Sequence, residues 1–365
     1  MKRKPISRLA LVMMAATFNA FAGPDGVFLC DSAAPYDFLT ADTRNYGQFG
    51  IKRNGQPLAD IGTGALLAGL GIRASSSKGL MLVPNELGGR GWIELRKRGR
   101  VLRKIPGWLQ FTDTWTDGRR EKIMFNVWNG EPDAPPTLMT WETRYVVDGD
   151  GNVLLEKYYE TFMDDENGDP PLLFTADGEA FYEELDDPAS TVNLYSASDL
   201  QAIGQIKAPD GQTLQQLVML SASRGFAISN GRTYRFEHGA LQPLPLPLTS
   251  EARDIQIDTR SRRMLIEGWG DFVVMDLAGT LLYHFAGRQP AGGAPPQGVN
   301  ARLAIDGSVG FMRTDDAMMT VLTRRSGYTQ ARVVPLGGED WNRVACFTPN
   351  SAALLVDDEP LLVKF

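Results

Sequence analysis

Two acidic loops hold the oxygen ligands that hard cations prefer. In Asp148-Gly149-Asp150-Gly151-Asn152 the side-chain oxygens of Asp148, Asp150 and Asn152 fall at alternate positions, and in Asp164-Asp165-Glu166-Asn167-Gly168-Asp169 those of Asp165, Asn167 and Asp169 do the same. Calcium loops use this spacing because alternate side chains converge on one ion. Neither loop completes a hand-type site. In the first, the sixth position is Val153, where a sharp turn needs glycine, and the twelfth is Tyr159, where a bidentate carboxylate is needed. Turn geometry by itself favours Asp, Asn and Gly in such places. Calcium is therefore an optional ligand in this reading, and no organic cofactor is expected.

Other chemistry is thinner. The two imidazoles, His238 and His284, sit beside a turn glycine and within an apolar run, in no zinc-binding pair. Gly307-Ser308-Val309-Gly310 lacks the Gly-x-Ser-x-Gly spacing of a nucleophile elbow. The stretch Gly62 to Gly69 misses the dinucleotide-binding spacing by two residues and lacks a strand–helix–strand context. Basic residues crowd at Arg96, Lys97, Arg98, Arg100, Arg103 and Lys104. Arg96 and Arg98 are candidate contacts for an anionic partner, although charge of this kind also guards the outer edge of a strand pair against aggregation. Five of the seven tryptophans fall between 92 and 141, and two of them, Trp128 and Trp141, bound the proline-rich stretch WNGEPDAPPTLMTW. Packing is the default use of large aromatics. Trp128 and Trp141 are nonetheless the best candidates for a partner contact, because loops bounded by rigid elements often carry function.

The ends of the chain bear on its compartment. Lys2, Arg3, Lys4 and Arg8 precede an apolar stretch from Leu9 that closes on Ala20-Phe21-Ala22, the layout of a cleaved secretory signal peptide over residues 1–22. Losing those four positive charges takes the formal net charge from −7 to −11, which disfavours nucleic acid and anionic lipid as partners. Cys30 and Cys346, the only cysteines, lie near the two ends of the mature chain. Export invites a disulfide between them. It would close a loop of more than 300 residues, for which the chain-entropy model gives at most about 5 kcal/mol.

What must position these residues is a repeated hairpin. Turns centred on Gly55, Gly99, Gly151, Ser198, Gly239, Gly279 and Gly327 follow one another at steps of 44, 52, 47, 41, 40 and 48 residues. Around each, as in GWIELRKRGRVLRKI (Gly91 to Ile105) and FVVMDLAGTLLYHF (Phe272 to Phe285), short runs of Val, Ile, Leu, Tyr and Phe flank Gly, Asp, Asn or Ser, the signature of paired strands. Further apolar runs at Gly225 to Ile228, Arg263 to Glu267 and Gly310 to Arg313 precede several of them. Each unit of about 45 residues then has three or four strands, and no long helical stripe interrupts the series. At the level of period and strand pattern the chain resembles the β-propeller superfold over residues 27–365. The resemblance implies an all-β ring of about seven blades closed by the N- and C-terminal strands, in one domain spanning 23–365. Its first blade would be shared between about 27–61 and 343–365 and pinned there by the two cysteines. The alternative is an outer-membrane barrel, for which the alternating runs are too short.

Propellers host binding modules and enzymes alike. The expectation is a periplasmic or secreted, non-enzymatic module, monomeric as a fold, that binds an envelope or secreted protein or peptide. The alternatives are a calcium-dependent hydrolase or lactonase with its site in the channel, and a carbohydrate-binding propeller. No membrane-spanning segment is expected after signal cleavage.

Overall fold

The computed structural model describes strand backbone from Ala22 to Lys364 and side chains across residues 80–333 apart from gaps, the longest at 129–140, 160–170 and 288–297. Residues 1–21, Cys30, Arg98, Asp165, Asn167 and Asp169 lie outside the described residues, as does the side chain of Cys346. The proposed leader, the disulfide and the second acidic loop therefore stay as sequence expectations.

Near the N-terminus are the short β1 (Ala22–Gly23) and β2 (Gly26–Val27), then β3 (Phe38–Ala41), β4 (Gln48–Arg53) and β5 (Gln56–Thr63). Six four-stranded antiparallel meanders follow. The first holds β6 (Ala74–Ser76), β7 (Leu80–Leu87), β8 (Arg90–Lys97) and β9 (Arg100–Pro106); the second β10 (Trp108–Thr116), β11 (Glu121–Trp128), β12 (Met139–Asp148) and β13 (Val153–Phe162). In the third are β14 (Leu172–Phe174), β15 (Ala180–Glu183), β16 (Thr191–Ser196) and β17 (Ala202–Lys207), and in the fourth β18 (Leu214–Ser221), β19 (Arg224–Ser229), β20 (Arg232–Glu237) and β21 (Ala240–Pro243). The fifth comprises β22 (Asp254–Asp258), β23 (Arg263–Glu267), β24 (Phe272–Asp276) and β25 (Leu281–Phe285), the sixth β26 (Val299–Leu303), β27 (Val309–Arg313), β28 (Met318–Leu322) and β29 (Ala331–Pro335). The chain ends in β30 (Arg343–Thr348), β31 (Ser351–Val356) and β32 (Glu359–Lys364).

Five of these meanders are separate sheets in simple chain order, and β6–β9 is joined through β6 to β3, giving the order β5-β4-β3-β6-β7-β8-β9. The separate sheets exclude one continuous barrel among the described strands. Consecutive meanders packed face to face are the architecture of a β-propeller. Strands β30–β32 form a sheet of their own, and β30 lies near β26, β27 and β5. Among the described residues no ladder joins the terminal strands into one shared sheet.

All seven turns picked out by the repeat fall between paired strands, and in the six meanders each joins the third strand to the fourth. The second strands β19, β23 and β27 coincide with the extra apolar runs read ahead of those hairpins. A local cause sets the hairpins. In the β12–β13 turn the Asp148 carboxylate accepts the N–H groups of Asp150 and Asn152 at 2.8 and 2.9 Å, and Gly151 takes φ +86°. In the β24–β25 turn Asp276 accepts from Ala278 and Thr280 at 3.0 and 2.8 Å, with Gly279 at φ +94°. Asp supplies the acceptor and Gly the left-handed backbone that a side chain would strain.

Cores lie in the seams between blades. Ile123, Phe125, Val127, Tyr145 and Val147 of the second blade pack on Leu80, Leu82, Ile93, Leu95 and Ile105 of the first, while Met124 and Val146 on its other face meet Phe174 and Phe181 of the third. The same pattern joins the fifth and sixth, where Phe272 stacks on Phe285 at 5.1 Å and meets Phe311 at 5.1 Å. Apolar side chains on both faces of a strand explain why these runs read as continuous rather than alternating.

Candidate functional site

The most exposed apolar surface gathers on the outer strands of the first two blades. Of the eleven large hydrophobic side chains that stand exposed among the described residues, Val101, Leu102, Trp141, Leu154 and Tyr158 belong to β9, β12 and β13. Nearly half of the total thus falls in one region. Clustering of this kind marks interaction surfaces, whereas single exposed apolar residues do not.

Strand pairing explains how they come together. In the β12–β13 register Trp141 faces Glu160, Thr143 faces Tyr158 and Tyr145 faces Glu156, so Trp141 and Tyr158 are diagonal neighbours on one face. Their rings lie 6.4 Å apart and tilted, with 41% and 55% of the residues exposed. Four residues back along β13, Leu154 is 51% exposed. At the hairpin end Leu102 approaches the backbone of Gly151 so closely that a Cβ there would lie 2.4 Å from its Cδ1. The stripe thus runs along β13 from the β12–β13 turn toward the Trp128–Trp141 loop.

A polar tether divides it. Glu156 accepts from the Tyr145 hydroxyl at 3.1 Å and from Arg103 Nη2 at 3.3 Å, and Arg103 lies 5.9 Å over the Tyr145 ring. Burial, reinforced by the Glu156 charge, pushes the Tyr145 phenol up to about 12. It is a fixed hydrogen-bond donor at physiological pH.

The other residues singled out from sequence have different settings. Trp128 ends β11 opposite Glu142 and Trp108 and is half-buried. It shares the loop with Trp141 but not the same face of the sheet. Arg96 is committed internally: its Nε donates to Glu94 at 2.8 Å, and Lys104 approaches the same carboxylate at 3.0 Å. Hydrogen bonds from Arg96 and Lys104 outweigh the burial that opposes them and hold Glu94 down at about 2. Lys97 pairs with Asp150 and donates to the Gly149 carbonyl at 2.7 Å. The basic run is largely an outer-edge ion-pair network, with β9 the last strand of its sheet.

The first acidic loop turns its oxygens inward on its own backbone. Burial raises the Asp148 carboxyl, but the Asn152 side chain and the N–H groups of Asn152, Asp150 and Gly151 outweigh it and leave the group below its ordinary value. Its Oδ2 also accepts from Asn152 Nδ2 at 2.9 Å, and Asp150 meets Lys97. Among the described residues no group of three or more His, Cys, Asp or Glu side chains is placed to hold a metal.

One polar cluster had no sequence signal. Asp271, fully buried, accepts the N–H and hydroxyl of Thr249 and, at 2.7 Å, the hydroxyl of Ser250, while Ser250 Oγ accepts the Trp269 N–H at 2.7 Å. His284 Nε2 stands 4.0 Å from Asp271. Serine here donates to the carboxylate, which leaves that proton unavailable to an imidazole base. The cluster is a clamp that fixes the β21–β22 connection to the β23–β24 loop. Beside it Trp269, 54% exposed, carries the Arg253 guanidinium over its ring at 5.2 Å and borders a groove of about 380 Å³ with Gln215, Ile228 and Glu251. Arg253 also pairs with Glu267, whose carboxyl is raised by burial despite that charge.

No helix among the described residues is long and apolar enough to cross a membrane. No protein-family model and no curated protein sequence matches the chain. Solved structures similar in fold include BamB from Moraxella catarrhalis (10% identical, over 91% of this chain and 95% of that one, TM-score 0.41). They also include a eukaryotic initiation factor (9%, 90% and 96%, TM-score 0.44) and Hsv2 of Kluyveromyces lactis (9%, 77% and 87%, TM-score 0.39).

Proposed function

We propose that this protein is an exported, non-enzymatic propeller that holds a protein partner against the outer edge of its β10–β13 blade. The observation that carries the reading is the stripe of Leu154, Tyr158 and Trp141, three large side chains each more than two-fifths exposed on one sheet edge. Rigid aromatics on a fixed strand make good anchors, because little side-chain freedom is lost on binding. A sugar would stack on Trp141 and Tyr158 equally well, yet the apolar surface continues to Leu154 and Leu102, which suits polypeptide better than carbohydrate.

The rest of the proposal concerns architecture and compartment. A seventh blade is assembled from the terminal strands, a reading supported by β30 lying beside β5. Residues 1–22 are a leader, 23–365 form one domain, and Cys30 pairs with Cys346 across the closure. Mature chain lacking residues 1–22, tagged and used for capture from an envelope extract, is expected to retain one stoichiometric protein. The double variant Trp141→Ser/Tyr158→Ser, folded by circular dichroism, is expected to lose it. Retention by the variant would sink the assignment of this edge. A rise in thermal midpoint with excess calcium would instead favour the metal-dependent hydrolase, since a ligand of the folded state stabilises it by mass action.

A further inference from the structure

Resting on that reading, we propose that β13 receives an extended segment of the partner, which joins the β10–β13 sheet as a fifth strand and lays apolar side chains over Leu154, Tyr158 and Trp141. β13 ends its sheet, with β12 its one ladder partner among the described strands. A terminal strand offers main-chain donors and acceptors whose natural complement is another extended chain.

The fourth strands of the other blades are shorter or carry proline, glycine or several cations, whereas the one cation of β13, Lys157, is engaged by the third blade, its Nζ donating to the carbonyls of Asp199 at 3.4 Å and Leu200 at 3.0 Å. β9 carries Arg100, Arg103, Lys104 and a terminal Pro106; β21 has four residues and ends in Pro243; β29 has five and ends in Pro335. β17 has six residues with Gly204 at its centre, and β25 has five. Shortness, proline and positive charge are the usual protections of a sheet edge. β13 runs for ten residues, VLLEKYYETF, with neither proline nor glycine. Its one irregularity, between Val146 and Val147 of the partner strand, lies at the turn end and leaves the remainder in regular register.

Side-chain spacing points to a different chain rather than a second copy. Two β13 strands related by a two-fold axis pair residue i with itself at the centre. Centring on Lys157 sets Lys157 against Lys157, and centring on Tyr158 sets Glu156 against Glu160 twice. Like charges directly opposite are unfavourable. The two registers of greatest overlap are thereby disfavoured for self-association. A heterologous strand with small or apolar residues opposite Leu154 and Tyr158, and none of that charge conflict, fits the same edge.

The test uses the full mature chain with a photoreactive phenylalanine analogue placed singly at Leu154, Glu156 or Tyr158, and at Trp269 as a position away from this edge, irradiated in the producing cells. Strand addition predicts adducts to one partner whose attachment points step along a single short segment, in order, as the probe moves by two residues. Deuterium uptake by residues 153–162 is expected to fall in the captured complex relative to the free chain. Adducts scattered over several segments, adducts to a second copy of this chain, or unchanged exchange in β13 would each overturn the strand proposal. If a stoichiometric partner is captured but cross-links only through a probe at Trp269, the protein-binding reading stands and the β13 edge is wrong. Absence of any stoichiometric partner removes both.

Discussion

Gln256 on β22 accepts the main-chain N–H of Leu303 on β26 at 2.9 Å. Gln216 on β18 does the same for Ile255 on β22 at 2.7 Å, and Asp113 on β10 for Phe174 on β14 at 2.6 Å. The first strand of a blade ends its sheet, so its outward N–H groups need an acceptor from elsewhere. In three seams a side-chain carbonyl or carboxylate from a neighbouring first strand supplies it. Gln256→Leu should therefore cost about 1–3 kcal/mol, the penalty of leaving a sheltered donor unsatisfied. Gln205→Leu, on an exposed strand, should stay within about 0.5 kcal/mol of the native chain. Urea midpoints of the two variants check this; equal shifts would mean that the seam bond is dispensable.

Glu94 gives a pH signature. Its folded carboxyl lies at about 2, below its ordinary value of 4.5, so its stabilising contribution is complete above that value and fades as pH falls from 4.5 toward 2. A shift of that size in a dry network would correspond to roughly 3 kcal/mol. Arg96 and Lys104 reach solvent, and screening reduces the expectation to about 1–2 kcal/mol. Glu94→Gln should accordingly lower the thermal midpoint at pH 7, and the gap between variant and native chain should narrow as pH drops below 4.5. A gap that does not change with pH would assign the loss to packing.

The parts of this architecture that are legible in the sequence are those closed locally. The third-to-fourth-strand hairpins are set within five residues by Asp and Gly, as at Asp148 with Gly151 and Asp276 with Gly279, so their rhythm shows in the sequence. The Glu94–Arg96 pair also rests on a spacing present in the sequence, since residues two apart share a strand face. Trp141 stood out as the boundary of a proline-rich loop, whereas Tyr158, its neighbour, is seventeen positions away and joins it only through the β12–β13 register. The amide links and the Asp271 clamp join residues on different blades or loops. Docking of whole sheets chooses those partners, and no short pattern encodes them.

Gly178 and Gly239 separate two costs of a side chain at left-handed backbone. Both have positive φ, +71° and +88°, but a Cβ at Gly178 would lie 2.3 Å from the Trp115 ring, while nothing lies within 4 Å at Gly239. Trp115 is buried and donates its indole N–H to the Ala176 carbonyl at 3.0 Å, which leaves little room to yield. Gly239→Ala should cost about 1–2 kcal/mol for the backbone alone. Gly178→Ala adds overpacking and should cost about 2–4 kcal/mol. Chemical denaturation gives both values, and a Gly178→Ala loss no larger than that of Gly239→Ala would show that the tryptophan moves aside.

Asp271 is the group on which the clamp between the fourth and fifth blades depends. Its carboxylate takes hydrogen bonds from one amide and two hydroxyls, whereas His284 approaches no closer than 4.0 Å. Asp271→Ala strands those three donors in a sheltered place and should cost about 2–4 kcal/mol. Asp271→Asn keeps one acceptor oxygen and should recover part of the loss. His284→Leu removes a group that makes no hydrogen bond through Nε2 and should change stability by less than about 1 kcal/mol. Because Ser250 also accepts the main-chain N–H of Trp269, loss of the carboxylate should loosen the backbone that carries this indole, seen as a shift in tryptophan emission that His284→Leu does not produce. Equal destabilisation by Asp271→Ala and His284→Leu, with no spectral difference, would mean that the imidazole and the carboxylate act as a pair, and the clamp would have to be redrawn around both.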